Sequence, residues 1–147
     1  MDTAHTQFYP LVLVVGPSGV GKTKALQTVA DRTGLPYINV NLELSERLLP
    51  LSSRQRALNA TTLLEDLITC AGRTVLLDNL EILFHPSLQL DPLPCLQQLA
   101  RRTNTTIVAA WNGSVEQGRL RYAEPGHPEW RQYPAVEFLW VQAERAA

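Results

Sequence analysis

The apolar run Leu11-Val12-Leu13-Val14-Val15 is hydrophobic at every position and rich in β-branched residues, the pattern of a central parallel strand covered on both faces. A helical pattern follows, with Ala25, Leu26, Val29 and Ala30 expected on one buried face and Gly34 and Pro36 as the stop. Tyr37 to Val40 reads as a second strand, and residues 41–50 as a polar, Leu-containing connection ending at Pro50. Ser52 with Gln55 forms a capping-box pattern for a helix whose stripe is Leu58, Leu63, Leu64, Leu67 and Ile68 and whose end is Gly72. Thr74 to Asp78 predicts a third strand, apolar until its last residue. Residues 81–90 read as a loop or short helix, after which Asp91-Pro92 opens a helix that runs through Leu96, Leu99 and Ala100 to Arg102. A fourth strand is expected from Thr106 to Trp111, closed by Asn112-Gly113. From there to Pro134 no sustained periodicity appears; a connection of that length is functional or hides an element, and a short helical turn is expected at Pro128 to Gln132. Val136 to Val141 completes five strands. The alternation predicts one domain over residues 1–147: a three-layer α/β/α sandwich around a mainly parallel five-stranded sheet.

Composition narrows the class without changing that picture. With 45% hydrophobic and 18% charged residues the chain reads as soluble and globular, and no apolar run is long enough to cross a membrane. The first ten residues hold Asp2 and no basic residue, unlike a secretory signal, so a cytoplasmic location is expected. Cys70 and Cys95 lack the paired spacing of a zinc site and read as buried free thiols, and His5, His85 and His127 are scattered. A net charge of −1 gives no whole-chain footprint for nucleic acid, leaving DNA contact through an assembly open.

The chemistry concentrates in GPSGVGKT, residues 16–23, a complete G-x-x-x-x-G-K-T phosphate-binding loop set between the first strand and the first helix. Gly16, Gly19 and Gly21 free the backbone, so the N–H groups of a loop that also contains Pro17, Ser18 and Val20 can turn toward phosphate oxygens at the helix N-terminus. Lys22 is expected to reach the β- and γ-phosphates of ATP, Thr23 to ligate Mg²⁺, and Lys24 to border the same site. Asp78, ending an apolar strand, is the candidate Walker B carboxylate on the metal side. The next position, often Glu in hydrolysing relatives with an added catalytic carboxylate, is Asn79, so the base must lie elsewhere: Glu81 first, Glu43 as the alternative. Asn112 at the end of the fourth strand is a candidate sensor of the γ-phosphate, or simply turn chemistry with Gly113.

GPSGVGKT, TVLLDNLEILF and TIVAAWNG, followed by YAEPGHPEWRQYP, resemble the BrxF family, small P-loop proteins of certain bacterial BREX phage-defence systems. The resemblance covers most of the chain and implies an ATPase-like component acting with other BREX proteins against phage replication. The strand order also looks like an AAA+ core, but without the helical lid that follows the last strand in that family. A neighbouring subunit is the expected cover, which makes a homo-oligomer the expectation, with Arg131 the first candidate for an arginine finger and Arg101, Arg102, Arg119 and Arg121 left open. Two other classes stay open: a small nucleotide or metabolite kinase, since the loop is also seen in guanylate kinase, and an ATP-dependent switch that does not turn over.

Overall fold

β1 spans Leu11–Gly16 and lies at the middle of the sheet, as its unbroken apolar run requires. The computed structural model describes residues 10–17, 19, 21–122, 131–134 and 139–142, with the side chains of residues 131, 134 and 139 outside that description. The helices are α1 (Lys22–Thr33), α2 (Val40–Leu48), α3 (Ser53–Ala71) and α4 (Pro92–Thr103). The strands after β1 are β2 (Tyr37–Asn39), β3 (Thr74–Asp78), β4 (Thr106–Glu116), β5 (Arg119–Tyr122), β6 (Arg131–Pro134) and β7 (Leu139–Gln142). The central order is β2-β3-β4-β1-β7, every pair parallel, as expected of the five-stranded sheet; of the last strand expected over Val136 to Val141, residues 136–138 lie outside the described residues.

The pleat sorts side chains to two faces. Leu13, Val15, Val75, Leu77, Ile107, Ala109 and Trp111 face α2, α3 and α4 in one large core. Leu76 and Ala110, with Val14 and Val108 beside them, face α1 and its Leu26. These are the three predicted layers.

Three local expectations change. Residues 41–50 are mostly helical, not a connection: Asn39 caps α2, its side chain accepting from the Leu42 N–H at 3.1 Å, and Val40, Leu44 and Leu48 recur every fourth residue as its buried face. The segment after Trp111 is not irregular. β4 runs on to Glu116 and turns at Gln117-Gly118, both at positive φ, into the antiparallel strands β5 and β6. Asn112-Gly113 is therefore no turn; Gly113 allows a close ladder crossing, where a Cβ would lie 1.8 Å from the carbonyl oxygen of Arg121. Arg131 and Gln132, expected in a helical turn, are extended in β6, while residues 128–130 lie outside the described residues.

Exposure corrects the stripes as well. On α1, Leu26 is buried and Ala30 half-buried, but Ala25 and Val29 are exposed because α1 lies alone over that part of the sheet among the described residues. Leu58, expected in the α3 stripe, is 70% exposed near the solvent side of its first turns. The α3 helix otherwise keeps its capping box and its end before Gly72. Both cysteines are free, but Cys70 is exposed on the last turn of α3, and Cys95 is partly covered, with burial raising its thiol pKa.

Candidate nucleotide site

The C-terminal ends of β1, β3 and β4 converge on a cleft of about 610 Å³ at the N-terminus of α1, the rim at which open α/β sheets bind ligands. Gly21 precedes α1 at φ 96°, with no side chain capping the helix, so the first N–H groups of α1 keep their capacity for an anion. Gly19 is also at positive φ, and both glycines line the cleft. Ser18 and Val20 lie outside the described residues.

Lys22, only 5% exposed, folds back over its own loop: its ammonium donates to the carbonyls of Gly16 at 2.8 Å and Pro17 at 2.7 Å. Burial lowers its pKa from the usual lysine value, against the opposing pull of the Asp78 and Glu81 carboxylates. Thr23 and the exposed Lys24 border the same cleft.

Asp78, 3% exposed, shares the α1 face of β3 with Leu76 by strand alternation. Its Oδ1 accepts from the Asn79 N–H at 2.9 Å, and its Oδ2 accepts from the Tyr37 hydroxyl at 2.6 Å. Burial and the bond to Asp78 together push the Tyr37 phenol well above its ordinary pKa. Asn79 takes positive φ, 55°, a conformation Asn tolerates better than Glu does. That turn carries the chain into a short 3₁₀ segment, Glu81–Phe84, and brings Glu81 to the cleft.

Glu81 is held by two amides. Asn41 Nδ2 donates to Oε2 at 2.7 Å and Asn112 Nδ2 donates to Oε1 at 2.8 Å. Asn41 itself is fixed, its Oδ1 accepting from the Ile82 N–H at 2.7 Å and its own N–H donating to the Asn79 carbonyl at 3.0 Å. Asn112 pairs with Gly16 across the β1–β4 ladder, which places it beside the phosphate-binding loop. Lys22, Thr23, Lys24, Asp78, Glu81 and Asn112 are thus gathered at one cleft from α1, β3, the 3₁₀ segment and β4.

This chain is similar in structure to AMPPCP-bound DnaA from Aquifex aeolicus, with a TM-score of 0.44 and 14% identity over 97% of this chain and 43% of that one. It is also similar to PCH-2 of C. elegans, with a TM-score of 0.43 and 17% identity over 97% of this chain and 37% of that one. It spans less than half the length of either. No family model matches the chain, and no curated protein matches it.

The other sequence candidates that the structure describes do not line the cleft. Glu43 sits on α2 in an ion pair with Arg47 at 3.1 Å and does not line the cleft. Arg102 pairs with Glu65 on the helical layer, and Arg121 pairs with Glu116 at 2.7 Å within the hairpin. Arg119 is exposed on β5, Arg101 lies on α4, and the side chain of Arg131 lies outside the described residues. Sequence reasoning missed Tyr37 and Asn41. The helical spacing of Val40, Leu44 and Leu48 would have placed Asn41 in the first turn of a helix beside β3; nothing local marks Tyr37.

The residues present fit a magnesium nucleotide. Among the described residues no cluster of three His, Cys, Asp or Glu side chains could hold a metal alone. One hydroxyl, Thr23, and one carboxylate, Asp78, suit Mg²⁺, which keeps waters and takes most of its remaining ligands from phosphates. Lys22 and the uncapped helix end supply the positive charge that a polyphosphate needs.

Proposed function

We propose that this chain binds ATP with Mg²⁺ and hydrolyses it slowly. The observation that carries the reading is the convergence of Lys22, Thr23, Asp78, Glu81 and Asn112 on one cleft at the N-terminus of α1. Lys22 and the backbone of residues 16–21 bind the phosphates, and Lys24 borders them. Thr23 and Asp78 hold the metal side. When bound, Mg²⁺ neutralises charge developing on the transferred phosphoryl group. Glu81 orients and deprotonates the attacking water, and Asn112, on the γ-phosphate side, keeps Glu81 aimed. The test is equilibrium binding of labelled ATP together with steady-state phosphate release. Lys22→Ala should lose most affinity while remaining folded, and Glu81→Gln should bind ATP without turnover. Lys22→Ala binding as tightly as the parent would overturn the site.

The grip of two amides on Glu81 favours a second reading, in which the chain is a switch that binds ATP without turning it over. Phosphate release by Asn41→Ala alone, with none by the parent, would favour that reading.

Beyond chemistry, the resemblance to the BrxF family supports a role in BREX phage defence with other BREX components as partners; a cytoplasmic location and DNA contact through the assembly complete the proposal. No helix among the described residues is long and apolar enough to cross a membrane. A homo-oligomer in which Arg131 of one subunit reaches the nucleotide of the next supplies an arginine, a residue type that does not line the cleft among the described residues. Solution mass with and without ATP and Mg²⁺ tests assembly; a strict monomer with normal turnover would exclude it.

A further inference from the structure

Among the described residues each oxygen of the Asp78 carboxylate receives one donor, and the two donors differ in kind. The Asn79 N–H on Oδ1 is backbone, available from any non-proline residue that holds this conformation. The Tyr37 hydroxyl on Oδ2, at 2.6 Å, is a side-chain contact that depends on tyrosine at this position.

Tyr37 stands on β2 directly opposite Leu76, two residues behind Asp78 along the neighbouring strand, and its ring packs with Leu26 and Leu76 on the α1 face. The length of the phenol spans that gap. The side chain of Gln27 lies beside that oxygen. Gln27 follows Thr23 by four residues on α1 and borders the same cleft, so the two share a helix face. A polar relay therefore runs from α1 through Tyr37 to Asp78 and ties together the two elements that carry Thr23 and Asp78.

We propose that Tyr37 is a positioning residue for the metal-side carboxylate, an inference that rests on the reading of Asp78 as the residue facing Mg²⁺. A carboxylate on a short side chain can rotate about its last bond. The Tyr37 hydroxyl fixes that rotation, and because each carboxylate oxygen accepts more than one hydrogen bond, capacity remains on both for the metal's waters.

The experiment is a Mg²⁺ titration of labelled-ATP binding, repeated in EDTA, for the parent, Tyr37→Phe, Asp78→Asn and the double variant. Phenylalanine keeps the packed ring and removes only the hydroxyl. Tyr37→Phe should raise the Mg²⁺ concentration for half-maximal binding about tenfold, the scale of one hydrogen bond to a charged group, and leave binding in EDTA unchanged. Asp78→Asn should shift the midpoint at least as far, and the double variant should match Asp78→Asn, since Tyr37 acts through that carboxylate. An unmoved midpoint in Tyr37→Phe beside a shifted one in Asp78→Asn overturns the positioning role alone. So does an equal loss with and without Mg²⁺, which marks a structural effect, or a full additional loss in the double variant. If Asp78→Asn itself leaves the midpoint unmoved, the metal-side reading of Asp78 falls and takes this proposal with it. Should Tyr37→Phe fail to fold, Gln27→Ala at its exposed position should give the same Mg²⁺-specific shift at about two- to threefold, and no shift there overturns the relay.

Discussion

The two faces of the sheet are built from alternate residues of the same strands yet do different work. Along β3, Val75 and Leu77 enter the large core beneath α2, α3 and α4, whereas Leu76 and Asp78 face α1. Among the described residues three helices seal the first face and one lies on the second, where Leu26, Leu76 and Ala110 form a small buried cluster and the sheet's rim stays open to the cleft. Burial of apolar area scales the stabilisation, so the thick face is expected to supply most of it. The thin face trades that area for access: Lys22 and Asp78 sit at the border, nearly buried, each held by hydrogen bonds rather than packing. A functional cleft on the thick face would have had to displace core side chains.

Truncating one leucine on each face is the direct way to break this contrast. Leu96→Ala, in the core beneath α4, should cost about 2–5 kcal/mol, because a fully enclosed cavity collapses poorly. Leu26→Ala should cost about half of that or less, since Ala25 and Val29 beside it on α1 are already exposed and water or side chains can fill the gap. Urea unfolding measures both. Equal losses would mean that the single-helix face is as well packed as the other.

The hairpin sharpens the comparison from a third side. Gly113 belongs to β4 just after Asn112, and a methyl group there would meet the Arg121 carbonyl at 1.8 Å. Gly113→Ala must push β5 away, at about 1–3 kcal/mol by the usual scale of overpacking. Because Trp111 Nε1 donates to that same carbonyl at 3.0 Å, and Phe84 and Tyr122 stack beside Trp111, the damage should reach the aromatic cluster under Glu81. Urea unfolding with Trp fluorescence should show the loss together with a changed native spectrum. A parent-like variant would show that the hairpin moves independently of the sheet.

Much of this arrangement was legible in the sequence, and the parts that were not share a cause. The phosphate-binding loop, the Ser52–Gln55 box, the Asp91-Pro92 start and the five parallel strands follow from local pattern, because capping, turn chemistry and apolar runs act over a few residues. Asp78 and Asn112 were legible as strand-end polar residues, and Glu81 as the carboxylate three residues beyond Asp78. The hairpin was not: Asn112-Gly113 carries a turn signature, and only the close approach of Arg121, nine residues from Asn112, gives Gly113 its other use. Tyr37 and Asn41 were invisible for the same reason, since their partners Asp78 and Glu81 lie 41 and 40 residues away. Glu81 stood ahead of Glu43 as a base in the sequence, but the pairing of Glu43 with Arg47 on α2 shows only in the structure.

The smallest expected effect tests what dominates at the border between the faces. Burial lowers the Lys22 pKa while Asp78 and Glu81 oppose it, and the sign of the net shift decides the outcome. With the folded pKa below the unfolded value of 10.5, the unfolded chain binds more protons between the two, so stability rises with pH across that alkaline window. Below the window the charged ammonium bears the full cost of burial. Lys22→Met keeps the stem and removes the titrating group. The stability of the parent relative to Lys22→Met should therefore climb as pH rises toward 10.5, with Tyr37 common to both proteins and cancelling to first order. Urea midpoints at a series of alkaline pH values measure the climb. Were the two carboxylates dominant, the folded pKa would lie above 10.5, and the parent's relative stability would hold constant to that point and then fall. The direction of the slope thus reports whether the thin face treats Lys22 as a buried residue or as a partner of its acids.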